Sequence, residues 1–570
     1  MSARPPAGRL VALFAALAVG LAGVAVRLVT LQLKEGTRYR ALAEEQRVRR
    51  IRLVPERGAI LDRSMHELAL SLPARAVYVD PRRVVDPENM ARQLAPLLDV
   101  HQPQLLNLLR TDESFVYLAR RVDLRVAQRI EALKLPGIGL LDESKRYYPG
   151  RSLAAQVLGF VGVDDTGLSG LELQYQDVLA GRPGSLLVEQ DPSGQAIPQG
   201  SSEAVEPARG HDLVLTLDRD LQFHAERALE EAVERNGAKG GMVIAMVPRT
   251  GEILAMAGFP TFDANEFSEA LPETTRNRSV TDAYEPGSVN KVITAAAALE
   301  EGAVGLHERW TVPDRYQVAD KLFHDSHPHP PLRMTLTDVI AESSNVGTIM
   351  TAQRLGPETL DDYLRKFGFG QDTGIDFPGE SDGILMPADD WWQTSMGTIP
   401  IGQGIAVTPL QMLSVYATIA NGGVRVEPRL IRGALTPDGT FLGTQPSAVT
   451  RVISADTARL VTGMLGRAVE TGTGQEAQIP GYWVAGKTGT ARKPLEGQLG
   501  YSEQYVASFI GFAPARRPAV AVAAILDEPE TVYGGVAAAP LFREVTHFAL
   551  AHLRVPSADP PRSPPALVGE

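Results

Sequence analysis

The chain has 570 residues, a formal net charge of −12 and no cysteine. The acidic balance argues against a nucleic-acid partner, because neutralising phosphates needs a basic face. The missing thiols exclude disulfides, thiolate metal sites and a cysteine nucleophile together. Its 44% hydrophobic and 22% charged content is that of a globular protein, with length for two to four domains. Lysine is scarce, nine of the 56 basic residues. Each lysine therefore draws attention, since a lysine can lose its proton inside a protein and an arginine cannot.

Leu10 to Val26 is an unbroken run of apolar and small residues; Arg27 interrupts it and Leu28 to Leu33 resumes it. At ~1.5 Å per residue, a helix over 10–33 reaches about 36 Å, enough to cross a hydrocarbon core of roughly 30 Å. A transmembrane anchor over 10–33 is expected, after a short cytoplasmic segment 1–9 with Arg4 and Arg9. The competing reading is a cleaved signal peptide, for which Ala22-Gly23-Val24-Ala25 is a small enough cleavage site. Charge leaves the orientation open, because Arg27, Lys34, Arg38 and Arg40 lie on the far side of the run.

Glu35 to Arg52 is polar and predicts a helix continuing out of the membrane. Residues 34–209 then read as a mixed α/β domain, broken at Arg182-Pro183-Gly184 and Pro192-Ser193-Gly194. A second domain is expected over 210–553. Asp212 to Leu217 alternates as a strand does, and Asp218 is placed to cap a helix carrying Leu221, Ala225, Ala228, Leu229 and Ala232. Met242–Val247 and Glu252–Ala257 flank Pro248-Arg249-Thr250-Gly251 as a hairpin. Tyr505–Phe512 and Ala519–Leu526 predict neighbouring antiparallel strands. Strands at both ends with helices between them give an α+β domain, an antiparallel sheet flanked by helices. The Pro/Ser-rich tail 554–570 is expected to be disordered.

Three short segments carry chemistry. In Tyr284-Glu285-Pro286-Gly287-Ser288-Val289-Asn290-Lys291, the Pro-Gly turn sets Ser288 at the start of a helix over Val292–Leu299, where the dipole favours developing negative charge. Lys291 falls on the same face. A serine hydroxyl needs an adjacent base, and a lysine can serve only if burial and a neighbouring cation lower its pKa. Ser343-Ser344-Asn345 follows the apolar positions Leu336, Val339 and Ile340. Lys487-Thr488-Gly489-Thr490 follows Tyr482–Ala485, which reads as a strand. Gly489 there allows a ligand backbone to approach, while Thr488 and Thr490 offer donors. Each segment alone is weak; their order and context, with two of nine lysines at the two lysine positions, make a strong set.

The set resembles the active-site motifs of serine β-lactamases and penicillin-binding proteins. Ser-Ser-Asn departs from Ser-Asp-Asn but keeps the hydroxyl and the amide. Arg57-Gly58-Ala59-Ile60-Leu61-Asp62-Arg63, Arg146-Tyr147-Tyr148-Pro149 and Gly167-Leu168-Ser169-Gly170-Leu171-Glu172 resemble pedestal motifs of class B penicillin-binding proteins. The segment Ile401–Gln411, with Tyr533-Gly534-Gly535 and Ala539-Pro540-Leu541-Phe542, resembles the division-type (FtsI-like) branch; the elongation type is the alternative. The resemblance implies one anchor in the cytoplasmic membrane, an extracytoplasmic dimerisation-type pedestal, and a D,D-transpeptidase domain that acts on peptidoglycan stem peptides and is acylated by β-lactams. Ser288 would be the nucleophile and Lys291 its base or relay. Ser343 and Asn345 would shuttle the leaving-group proton and hold the substrate amide, and Lys487 would supply positive potential and bond Ser343. Thr488 would take the terminal carboxylate, and the amides of Ser288 and Thr490 would form the oxyanion hole. No cofactor or metal is implied. No glycosyltransferase-sized domain precedes the pedestal, so an FtsW-like SEDS-type glycan polymerase and other division proteins are the expected partners.

Other readings fit less well. A β-lactamase would need a deacylating carboxylate and has no use for a pedestal. A β-lactam sensor or scaffold would need an output domain. His324, His327 and His329 read as a solvated loop rather than a metal site, and Trp391-Trp392 as core aromatics rather than a groove.

Overall fold

In a computed structural model of the protein, residues 7–34, 48–189, 202–495, 497–498 and 500–557 are described. The apolar N-terminal run forms helix α1 (Ala7–Val29), followed by a π-helical turn Thr30–Lys34. Gly8–Leu33 is long and apolar enough to cross a membrane, and its side chains are not buried.

Next come β1 (Val48–Leu53), β2 (Ile60–Leu61), β3 (Glu67–Val79), α2 (Pro87–Leu98), α3 (Gln102–Leu109), β4 (Val116–Asp123), α4 (Leu124–Ala132) and β5 (Ile138–Tyr147). Strands β6 (Gly184–Glu189), β7 (Ser202–Val205) and β8 (Asp212–Leu215) follow. The helix expected over Glu35–Arg52 is overturned at its end, where Val48–Leu53 is a strand antiparallel to β6. Arg50-Ile51-Arg52-Leu53 alternates with period two, which a helix does not. Residues 35–47, the Pro192-Ser193-Gly194 break and most of the Pro-rich tail lie outside the described residues.

The chain groups into two compact units. One contains β1, β6 and β7, a three-stranded antiparallel sheet. The other contains residues 57–180 together with the chain from Gly210 onward.

In the second unit the three pedestal motifs converge on one carboxylate. Arg57 Nε and Arg146 Nε each donate to a different oxygen of Glu172, both at 2.7 Å. Arg57 Nη2 donates to the Glu172 carbonyl at 2.8 Å and Arg146 Nη1 to the Gly58 carbonyl at 2.7 Å. Arg57, Arg146 and Glu172 are 0%, 5% and 0% exposed. Two guanidiniums on one carboxylate in a dry interior form a pairing whose halves cannot be removed singly without stranding a charge.

From Asp218 on, the elements include α5 (Arg219–Arg235), β9 (Gly240–Met246), β10 (Ile253–Phe259), α6 (Lys291–Glu300), β11 (Trp310–Val312), β12 (Arg315–Val318), β13 (Lys321–His324), β14 (Leu332–Met334), α7 (Leu336–Ala341) and α8 (Asn345–Leu355), with a further helix over Pro357–Lys366. These are followed by α9 (Pro409–Ala420), β15 (Ile431–Leu435), β16 (Phe441–Gly443), α10 (Ala455–Glu470), β17 (Ala485–Pro494), β18 (Tyr501–Ala513), β19 (Val520–Asp527) and α11 (Ala539–His552). Asp218 caps α5 by accepting from Leu221 N, as expected. β8 runs parallel to β2 and antiparallel to β15. The strand read as the opening of the second domain is thus hydrogen-bonded to the first pedestal motif.

The expected antiparallel sheet has five strands in the order β10-β9-β19-β18-β17. Alternate residues serve two cores. Val520, Val522, Ala524 and Leu526 pack with α5 and α11, whereas Ala521 and Ala523 face the core that contains α6 and α9. Burial on both faces explains why β19 reads as a continuous apolar run. Helix α6 is enclosed: every residue from Lys291 to Ala298 is buried. This places Lys291 at the base of a dry helix, directly after the Ser288 turn.

Candidate active site

Ser288 lies on a 3-10 turn, Gly287–Asn290, that runs into α6. Gly287 has φ +58°, a left-handed conformation that glycine adopts without steric cost. The turn is held on several sides. Gly287 N donates to the Gly402 carbonyl at 2.9 Å, Asn290 Nδ2 to the Ile399 carbonyl at 2.9 Å, and the Tyr416 hydroxyl of α9 to the Val289 carbonyl at 2.9 Å. Val289 and Asn290, the pair between the two motif residues, anchor the serine to the rest of the fold.

Lys291 is 0% exposed. Its Nζ donates to the Ser343 carbonyl at 2.6 Å, to Asn345 Oδ1 at 2.7 Å and to Ser343 Oγ at 3.3 Å. Two of the sequence segments are therefore bonded through this amine. Burial lowers its pKa to about 7, with the Asp325 carboxylate opposing the fall. An amine poised near neutrality is suited to take a proton from a hydroxyl at physiological pH.

Ser343 has φ +60°, uncommon for a residue with a Cβ. It links α7 to α8, and Ser344 caps α8 by accepting from Gly347 N at 2.9 Å. The turn presents both the carbonyl and the hydroxyl of Ser343 to Lys291.

The third segment lies within a strand rather than after one. Of Tyr482–Ala485, only Ala485 belongs to β17, and Lys487, Thr488, Gly489 and Thr490 pair with Ile510, Phe509, Ser508 and Ala507 of β18. Glycine and threonine dilute the apolar signal, but the partner strand supplies the ladder that fixes the segment. A Cβ on Gly489 would fall 2.3 Å from Ser508 Oγ and 3.1 Å from Val289 Cγ1. The crowding that demands glycine comes from the protein itself, including the Ser288 turn.

Lys487 is 1% exposed, and burial followed by the charge of Lys291 drives its pKa well below the ordinary lysine value. Its Nζ donates to Thr488 Oγ1 at 3.2 Å, the Thr488 carbonyl at 3.3 Å and Thr473 Oγ1 at 3.5 Å. The expected bond from Lys487 to Ser343 is not made among the described residues. Thr488 Oγ1 lies 2.8 Å from Thr473 Oγ1, and Thr490 Oγ1 accepts from Gly534 N at 3.1 Å.

Thr473, Asn290 and Asp325 were given no role from sequence, and His324 was read only as part of a solvated loop. The histidine loop supplies the last two. The His324 carbonyl accepts from Asn345 Nδ2 at 3.0 Å, while Asp325 is buried against the start of α8. The only available signal was that this loop lies just before the Ser-Ser-Asn segment. The two tryptophans part company: Trp392 is 77% exposed and is no core aromatic, whereas Trp391 is half-buried, packs against the main core and donates its indole N–H to the Met386 carbonyl at 2.8 Å. They follow a single 3-10 turn, Ala388–Asp390, and of the pair only Trp391 packs inward.

A family described as the penicillin-binding protein transpeptidase domain matches residues 241–547, and the penicillin-binding protein dimerisation domain matches residues 52–215. The penicillin-binding protein PbpB of Mycolicibacterium smegmatis is 37% identical, over 95% of this chain and 90% of its own length. The chain belongs to the class B penicillin-binding proteins. Within the family, the peptidoglycan D,D-transpeptidase FtsI of Escherichia coli K12 is 35% identical over 85% of this chain and 82% of its own. The crystal structure of penicillin-binding protein 3 of Mycobacterium tuberculosis complexed with ampicillin superposes with a TM-score of 0.73. It is 33% identical and covers 90% of this chain and 99% of that one. Transpeptidase domain, dimerisation domain and one apolar N-terminal helix agree with the family architecture expected from sequence.

Proposed function

We propose that the protein is a membrane-anchored peptidoglycan D,D-transpeptidase that cross-links stem peptides through an acyl-enzyme on Ser288 during septal wall synthesis. The observation that carries this reading is Lys291: a fully buried amine, with a pKa near 7, three residues from a serine on a rigid turn. Ser288 Oγ attacks the carbonyl of the penultimate D-alanine, and its proton passes to neutral Lys291. The oxyanion is met by the backbone N–H groups of Ser288 and Thr490, donors set in place before the charge develops. The C–N bond breaks, and the departing D-alanine amine takes its proton from Lys291 through Ser343 Oγ, already 3.3 Å from Nζ. Asn345 holds the substrate amide. Thr488 receives the terminal carboxylate, in the positive field of Lys487. The amine of a second stem peptide then attacks the ester, transfers its proton to the site and restores the Ser288 hydroxyl. A β-lactam acylates the same oxygen, but its opened ring stays attached.

In this reading α1 is an uncleaved anchor in the cytoplasmic membrane and the chain after Leu33 lies outside the cytoplasm, where the wall is. Residues 34–209 act as pedestal and 210–553 as the transpeptidase domain. The glycan strands come from a separate SEDS-type polymerase, FtsW-like, working with other division proteins. The test is labelling of membranes with a fluorescent penicillin, followed by mass spectrometry of the modified peptide. The label is expected on Ser288 and absent from a folded Ser288→Ala variant; persistent labelling of that variant overturns the reading.

A further inference from the structure

Asp325 follows directly on β13, in the loop that leads to β14, and its backbone N–H donates to the Asp314 carbonyl at 3.0 Å. The side chain is enclosed, 8% exposed as a residue, and both carboxylate oxygens are occupied. Oδ1 accepts from the backbone N–H of Asn345 at 2.5 Å and of Val346 at 2.9 Å. Oδ2 accepts from Ser344 Oγ at 2.7 Å and faces His329 Nε2 at 3.0 Å. One carboxylate thus holds the opening turn of α8, where free N–H groups and the helix dipole favour an anion. The adjacent His324 carbonyl holds the Asn345 side chain.

These contacts bear on Lys291. Its ammonium is bonded to the Ser343 carbonyl and to Asn345 Oδ1, the residues on either side of Ser344. Ser343 keeps its left-handed backbone only if the turn after it is fixed. Where the Ser-Asp-Asn motif of related enzymes has an aspartate, this chain has Ser344, so the negative charge behind the turn arrives from a separate loop.

We propose that Asp325 is the positioning residue of the transpeptidase site: it fixes the Ser343–Asn345 turn against Lys291 and supplies the counter-charge that sets how readily Lys291 gives up its proton. This rests on the reading of Ser288 and Lys291 given above. The sign follows from electrostatics. A carboxylate near Lys291 favours its ammonium, and opposes the effect of burial. Removing the negative charge while keeping the shape lets Lys291 become neutral at lower pH. The other charged groups facing this cluster are His329, which packs on Oδ2, Asp314, whose charge acts on His329, and Lys487, which faces Lys291.

The experiment measures acylation rate against pH with a fluorescent penicillin, using the full-length protein in detergent and the variants Asp325→Asn, Asp325→Ala and Ser288→Ala. Asparagine still accepts from the Asn345 and Val346 amides. Asp325→Asn is expected to acylate at its optimum within about tenfold of the parent, but with the acid limb of the profile moved to lower pH. Asp325→Ala frees the turn and is expected to lose about a hundredfold, the scale on which small misplacements of reacting groups act. An acid limb in Asp325→Asn that coincides with the parent's overturns the proposal, as does an Asp325→Ala rate within threefold of the parent. If Asp325→Ala does not fold, the Asp325→Asn profile decides alone. Labelling of Ser288→Ala would instead overturn the underlying assignment of the nucleophile.

Discussion

Replacing Lys291 by methionine should change the pH dependence of stability in a calculable way. Methionine matches the length of the lysine stem and removes the titrating amine. A pKa lowered to about 7 from an ordinary 10.5 corresponds to roughly 5 kcal/mol of disfavoured charge, at about 1.4 kcal/mol per pH unit. Below pH 7 both the folded and the unfolded parent hold the proton, and the folded state bears the whole of this cost. Between pH 7 and 10 the unfolded chain still binds a proton that the folded chain has released, so parent stability rises with pH. The variant lacks this rise. Parent stability minus variant stability should therefore climb by up to about 4 kcal/mol from pH 7 to pH 10. The absolute difference at pH 7 is smaller than the burial cost, because methionine leaves the Ser343 carbonyl and Asn345 Oδ1 unpaired at about 1–3 kcal/mol each. The slope is unaffected by that loss. Thermal midpoints of the full-length protein in detergent at pH 7, 8, 9 and 10 read it directly, with Lys366→Met as control, since Lys366 is half exposed beside Asp362. Parallel midpoint curves for parent and Lys291→Met would refute a depressed lysine at this position.

Two further outcomes follow from the same geometry. Lys291→Arg keeps the charge but cannot become neutral, so acylation by a fluorescent penicillin should be nearly abolished, whereas Lys487→Arg should retain more activity than Lys487→Ala; a Lys291→Arg rate close to the parent's would assign the proton transfer elsewhere. Glu172→Gln strands the buried guanidiniums of Arg57 and Arg146 and should cost about 3–5 kcal/mol, read as a fall of several degrees in thermal midpoint, while a midpoint within a degree of the parent's would show that the network is not what holds the pedestal motifs.

The parts legible in the sequence are those in which function and local structure coincide. Pro286-Gly287 makes a turn, Ser288 and Lys291 lie one helical turn apart, and Asp218 caps a helix; each relation is complete within a few residues. Strands β9, β10, β18 and β19 were legible as apolar, β-prone runs set off by turn residues, because strands buried on both faces leave continuous apolar segments in the chain. The family pedestal motifs could be noticed as segments, but not their common purpose. Arg57, Arg146 and Glu172 meet only after the strands between them are folded, and no local pattern announces that three distant charges share one buried site.

The same limit explains the errors at the active site. Lys487 was expected to bond Ser343, yet it is bonded to Thr488 and Thr473; Thr473 lies in a Thr-Gly repeat with no signature of its own. Burial and a neighbouring cation were both expected to lower the Lys291 pKa; burial does lower it, but the charge that acts beside it is the Asp325 carboxylate, which opposes the fall. That burial follows from α6 being apolar from Val292 to Ala298 apart from Thr294, a fact the sequence does display. A helix enclosed on every side has to dehydrate the lysine at its first position, whatever lies nearby. The cost is then contained by a ring of oxygens from Ser343 and Asn345, and these are held in turn by a carboxylate from the histidine loop. Motif residues therefore specify which groups react, while the residues that make their reaction possible at neutral pH are dispersed: an apolar helix, a left-handed serine and an aspartate from a loop read as mere solvent-facing chain.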